Sequence, residues 1–134
     1  KKGKDILTVK KELLNFFLTH NLERKKALFI CQNPSFDRIF FSKIIDPDLQ
    51  EEKNFPYNWL DLASMQWSRL VREGNVATDI QLSKDLIAEY YGIPPEQKPH
   101  RARNGVRHLI ECYKIVVGFN CSEVEKGPSF QPKS

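Results

Sequence analysis

Cysteine is scarce: Cys31, Cys112 and Cys121 are three scattered thiols in 134 residues. They are too few for a disulfide framework, and a chain of this length needs no covalent staples. Reduced thiols in a cytoplasmic protein are the expectation. No stretch approaches the roughly 18–20 apolar residues that cross a bilayer. The opening KKGKD also lacks the apolar run of a secretory signal, so no membrane partner is expected. Neither common glycine-rich phosphate loop is present, and no serine sits in a nucleophile elbow. His108 and Cys112 stand four apart and can share a helix face, yet no second ligand pair accompanies them or His100, so a zinc site is not expected. There is no internal repeat and no low-complexity block.

What is present is a globular balance of 40% hydrophobic and 28% charged residues, in a length that suits one domain. The 21 Lys and Arg against 17 Asp and Glu leave +4, a weak bias that tolerates a polyanionic partner without requiring one. Part of the excess lies in KKGKD and ERKK, read as solvated lysines, whereas residues 46–52 are locally acidic.

The hydrophobic pattern reads as an alternation of helices and short strands, an α/β chain. Residues 8–22 form an amphipathic helix carrying Val9, Leu13, Phe16 and Phe17, with Thr8 available as its N-cap. ALFICQN (27–33) is a short, nearly continuous apolar run that suits a buried strand, and Asn33-Pro34 ends it. A helix starts just after Ser35 with Phe36, Ile39, Phe40 and Ile44 at helical spacing. DPDLQEEKNFP (46–56) has turn chemistry and little periodicity, and it leads to a second strand in YNWLDLAS (57–64). A helix over 63–72, a loop over 74–78 and a helix over 82–92 closed by Gly92 follow. Prolines make 94–99 a loop, residues 100–119 resume helical spacing, and 120–134 is expected to be a disordered tail.

Two residues stand where chemistry could occur. Asp37 falls at the start of a helix just past the carboxyl end of ALFICQN, where ligands of open α/β sheets collect and a carboxylate can hold a divalent cation. An Asp there also serves as a cap or dipole partner. His100 follows Pro99 at the threshold of the last helix, and a loop histidine with a pKa of about 6.5 can act as a general base. His20 and His108 rank lower. Trp59, Trp67, Tyr90 and Tyr91 read as core, with base stacking as their other use.

Three segments, ALFICQNPSFDRIFF, YNWLDLASM and LSKDLIAEYYGIPPEQKPHRARNGVRHLIECY, resemble in order and spacing the later part of the DnaQ-like (DEDDh-type) 3′–5′ exonucleases, over roughly residues 8–119. The second exonuclease motif of that family, an apolar strand followed by Asn, two residues, Phe and Asp, matches Asn33, Phe36 and Asp37. Its third motif, His-Arg-Ala, begins at His100. The resemblance implies a ribonuclease-H-like fold and two cations, Mg²⁺ or Mn²⁺, held by four carboxylates while a DNA or RNA 3′ end is hydrolysed. It makes Asp37 a catalytic metal ligand and His100 the general base. Asn33 and Phe36 would shape the substrate pocket, with the phenyl ring near the terminal nucleotide.

The chain departs from that pattern twice. The acid pair Asp-x-Glu of the first motif is absent, Asp5 standing alone without an apolar strand, and the family's last Asp is replaced by Gly105. Residues 1–119 therefore read as a partial exonuclease-like domain whose leading strands are missing, so that ALFICQN has an unpaired side. A missing N-terminal segment or a partner chain would complete the sheet. Impaired activity of this chain alone is expected, and the alternative is a non-catalytic nucleic-acid or protein-binding module that keeps the fold.

Overall fold

Acidic caps and prolines decide where the first helices begin. In the computed structural model, which describes residues 3–75, 81–99 and 101–118, α1 (Ile6–Thr19) starts at Asp5. The Asp5 carboxylate accepts the Thr8 backbone N–H at 2.9 Å and the Thr8 hydroxyl at 2.6 Å. Thr8, expected as the cap, is instead inside the first turn, because Asp5 is an acceptor three residues earlier and Thr8 can donate to it twice. The helix ends at Thr19, short of the expected Leu22. Asn21 adopts a φ of 54°, and Leu22 N–H closes onto Phe17 C=O at 2.9 Å. Asn is one of the few residues that enters the left-handed region at low cost, so this Schellman closure stops the helix although the apolar pattern runs on.

After α1 come β1 (Phe29–Cys31), α2 (Pro34–Ile44), α3 (Pro47–Glu52), β2 (Trp59–Asp61), α4 (Leu62–Arg72), α5 (Lys84–Tyr90) and α6 (Ala102–Val117). The fold is mixed α/β and mostly helical, with a two-stranded parallel sheet. The segment expected to be a turn region contains α3. Asp46 accepts Leu49 N–H at 2.9 Å, Pro47 opens the first turn and Asp48 follows it. Six residues are too few to display a helical period, but the start signals are complete. None of the described helices is long and apolar enough to cross a membrane.

The chain divides between Ser64 and Met65 into two units. In the first, β1 and β2 pair in the register Phe29 with Trp59, Ile30 with Leu60 and Cys31 with Asp61. Phe29 stacks on its register partner Trp59 at 3.9 Å, and Phe41 of α2 meets both rings edge-on at 5.3 and 5.5 Å. Phe17 of α1 stacks on Phe55 at 4.3 Å. These five rings tie α1, β1, α2 and β2 together; Phe55 is buried, as are Ile45 and Leu62 of the same unit. Phe29 N–H donates to Asn58 C=O at 2.9 Å. Because only alternate residues of a parallel strand bond to a given neighbour, the N–H and C=O of Ile30 face the other edge of β1. Among the described residues no strand pairs along that edge.

The second unit is helical. Ser83 caps α5 through Leu86 N–H at 3.3 Å, and Gly92, at φ 66°, closes it as the sequence suggests. Ile87 and Ala88 of α5 and His108, Cys112 and Val116 of α6 are buried. Arg69 of α4 donates to the Ile115 and Val116 carbonyls at 2.8 and 3.3 Å, and Tyr91 donates to the buried Gln66 amide oxygen at 2.7 Å. The expected tail at 120–134 lies outside the described residues.

The buried ring of Phe55 should carry much of the first unit's stability. Phe55→Ala is expected to cost about 3–5 kcal/mol in urea unfolding, whereas Phe36→Ala, at a ring that is 63% exposed, should leave the midpoint nearly unchanged.

Candidate functional site

Two strand-to-helix junctions lie side by side at the carboxyl end of the small sheet. At the first, Asn33 is the N-cap residue of α2 by position, but its side chain makes no capping bond. Pro34 occupies the first helical turn, where its missing N–H is not needed. That turn carries Asp37, an exposed carboxylate near a helix N-terminus, where the helix dipole favours negative charge. At the second junction, Asp61 ends β2, accepts the Ala63 N–H at 3.0 Å and takes the Ser64 hydroxyl on its other oxygen. Asp61 thereby caps the start of α4.

The strand register makes Cys31 the partner of Asp61, and the thiol feels the negative charge of both Asp37 and Asp61. Burial pushes this thiol up to about 12, helped by those two charges. At neutral pH Cys31 is therefore a buried, protonated thiol.

Asn33, Phe36 and Asp37 share one exposed stretch at the start of α2, with the Phe36 ring resting on Phe40 at 4.7 Å. His100 lies outside the described residues. In the second unit, a Cβ built on Gly105 would sit 3.6 and 3.7 Å from the Glu96 carboxylate oxygens and 3.8 Å from Lys84 Nζ. Lys84 and Glu96 form an ion pair there, and the Glu96 side chain is 9% exposed. His108 and Cys112 are core groups: the His108 Nε2 lies 3.0 Å from Pro94 C=O, and Cys112 Sγ lies 3.9 Å from Lys84 C=O. His20 ends α1 with its ring 4.5 Å from Phe16. Trp59 belongs to the aromatic core, while Tyr90 is exposed and Tyr91 lies under the Arg69 guanidinium at 5.1 Å.

Comparison of the chain with protein-family models, curated proteins and solved structures finds no match. Its chemistry is therefore read from the junctions themselves. Asp61 is the residue that the sequence reading passed over. Its signal was available: like Asp37, it is an acid at the carboxyl end of a strand with a helix starting at once behind it.

Among the described residues no group of three or more His, Cys, Asp and Glu side chains could hold a metal ion. Asp37 offers a hard, exposed oxygen, but both oxygens of Asp61 are already hydrogen-bonded at the start of α4. The buried Cys31 thiol is protonated and is no ligand for Mg²⁺. A pair of divalent ions does not fit this donor set alone.

The thiol supplies a pH test. Its proton is retained in the folded chain up to about 12 but lost near 9.0 when exposed. Between those values the unfolded state binds fewer protons, so stability should fall as pH rises. Cys31→Ala should flatten this alkaline loss in denaturant titrations at pH 8 to 10.5. Folded protein at pH 8 should also alkylate at Cys31 far more slowly than unfolded protein, as peptide mass mapping would read.

Proposed function

We propose that this chain is the later part of a DnaQ-like 3′–5′ exonuclease domain of ribonuclease-H-like fold, working on nucleic-acid 3′ ends. The observation that carries the reading is the placement of two acids beyond the carboxyl ends of adjacent parallel strands, Asp37 in the first turn of α2 and Asp61 at the end of β2 where α4 begins. That is where an open α/β sheet places its ligands. The exposed Asp37 would be one of the carboxylates facing Mg²⁺ or Mn²⁺, and Asn33 and Phe36 on the same stretch would meet the terminal nucleotide. By the resemblance, His100 would take the proton from the attacking water.

The rest of the acidic set would have to come from elsewhere. A missing N-terminal segment or a partner chain adding a parallel strand along the outer edge of β1 would satisfy the N–H and C=O of Ile30. It would also carry acids to the same strand ends. Gly105 lacks a carboxylate, so the chain by itself should hydrolyse slowly.

A second reading is favoured by the Lys84–Glu96 pair beside Gly105 and by the capping bonds of Asp61. Both give acidic groups a structural use, which suits a module that binds nucleic acid or protein without cutting.

Incubation with 3′-labelled single-stranded DNA and RNA in Mn²⁺ tests the choice. The exonuclease reading expects slow release of the label, stopped by chelation and reduced by roughly 100-fold in Asp37→Ala, the scale of losing one electrostatic group from a transition state. Release that survives both treatments would overturn it. Salt-sensitive oligonucleotide binding, with no release and no response to Asp37→Ala or to chelation, would establish the binding module instead.

A further inference from the structure

A recess of about 330 Å³ lies between the first turns of α2 and the segment leading into β2. Its size falls within the roughly 300–1,000 Å³ of small-ligand sites. Its walls include Ser35 and Arg38 from α2, and Tyr57, Asn58 and Leu60 from the other side. Ser35 and Arg38 are three apart on the helix and so share a face.

Tyr57 is 52% exposed. The Arg24 guanidinium, which is not part of the recess wall, lies 4.8 Å from the Tyr57 ring centre and covers one face. Arg24 is itself held by Glu51 at 2.6 Å. The ring is thus braced from one side and also lines the recess. Arg38 has no acidic partner among the described residues, in contrast to Arg24 and Arg69. A braced aromatic face suits the base of a nucleotide, an uncompensated guanidinium its phosphate, and a hydroxyl and a carboxamide the edge of its base. An apolar ligand would leave Arg38 unanswered, and a bare phosphate would leave Tyr57 unused.

Along the chain, Arg38 follows Asp37 and Leu60 precedes Asp61. Neither carboxylate is part of the recess wall. We propose that the recess is a stacking subsite for one nucleotide of a single strand, Tyr57 holding the base and Arg38 the phosphate. This rests on the nucleic-acid reading above and assigns that reading a contact surface away from the carboxylates themselves.

The test separates binding from cutting. Fluorescence anisotropy of a short 5′-labelled oligothymidylate is measured on the full chain in EDTA, over a series of salt concentrations. Tyr57→Ala should weaken binding roughly tenfold, while Tyr57→Phe, which keeps the ring, should bind like the parent. Arg38→Ala should weaken binding and lower the salt slope by about one, with Arg38→Lys restoring the slope. Circular dichroism of each variant should match the parent. Parental affinity and slope in both alanine variants would overturn the subsite while leaving the exonuclease reading to the label-release assay. Absence of parental binding would also overturn it, again without deciding that assay. Displacement of the strand by an equal concentration of thymidine 5′-monophosphate would reassign the recess to a free nucleotide and overturn the strand proposal.

Discussion

The stacking of Phe29 on Trp59 is the contact on which the first unit depends, because it fixes the register of a sheet too short to fix itself. Three residues per strand offer only a few ladder hydrogen bonds, and side chains alternate faces along a strand. A slip of one residue would turn every side chain of one strand to the opposite face. The stack, enclosed by Phe41 and adjoined by Phe17 and Phe55, makes such a slip costly. In the observed register Cys31 pairs with Asp61. The chemistry at the strand ends is therefore set by aromatic packing two residues earlier in each strand.

Two acids at one end of a small sheet need local partners, and each here has one. Asp61 spends its oxygens on the Ala63 N–H and the Ser64 hydroxyl at the start of α4. Asp37 lies in the first turn of α2. Helix starts favour negative charge, so the two junctions tolerate acids that mid-strand positions would not. The same arrangement limits chemistry: donors that neutralise Asp61 also occupy it. Asp37, exposed on the helix surface, is the more available of the two.

The sequence made the first junction legible and left the second half-read. Asn33-Pro34 is a boundary that any reading finds, because proline cannot continue the strand ladder and suits the first helical turn. That found β1 and α2 and put Asp37 near the start of the helix, although the strand is shorter than 27–33 and the helix begins at Pro34 rather than after Ser35. Asp61 was harder to see because its strand mixes polar and apolar residues, and its partner Cys31 is 30 residues away, a pairing that periodicity does not reveal. The ends of α1 and α3 depend on Asn21 and Asn54 adopting positive φ, which the apolar pattern does not encode. Gly92 announced the end of α5 because glycine is the common residue there. Tyr57 and Arg38 were invisible as a pair: one precedes a strand, the other sits in a helix, and only the packed unit sets them across a recess.

Gly105 is the clearest departure from the exonuclease pattern, and its surroundings in the second unit bear on why. A glycine inside a helix is less stable than alanine by roughly 0.5–1 kcal/mol. Sterics do not demand it here, since a Cβ would meet Glu96 and Lys84 at 3.6–3.8 Å, ordinary contact distances. An aspartate is a different matter. Its carboxylate would approach Glu96, whose side chain is 9% exposed and already paired with Lys84. Two carboxylates would then share one ammonium in a poorly hydrated place, and burying an uncompensated charge is far more costly than filling a small space. What this position resists is therefore a second negative charge rather than bulk.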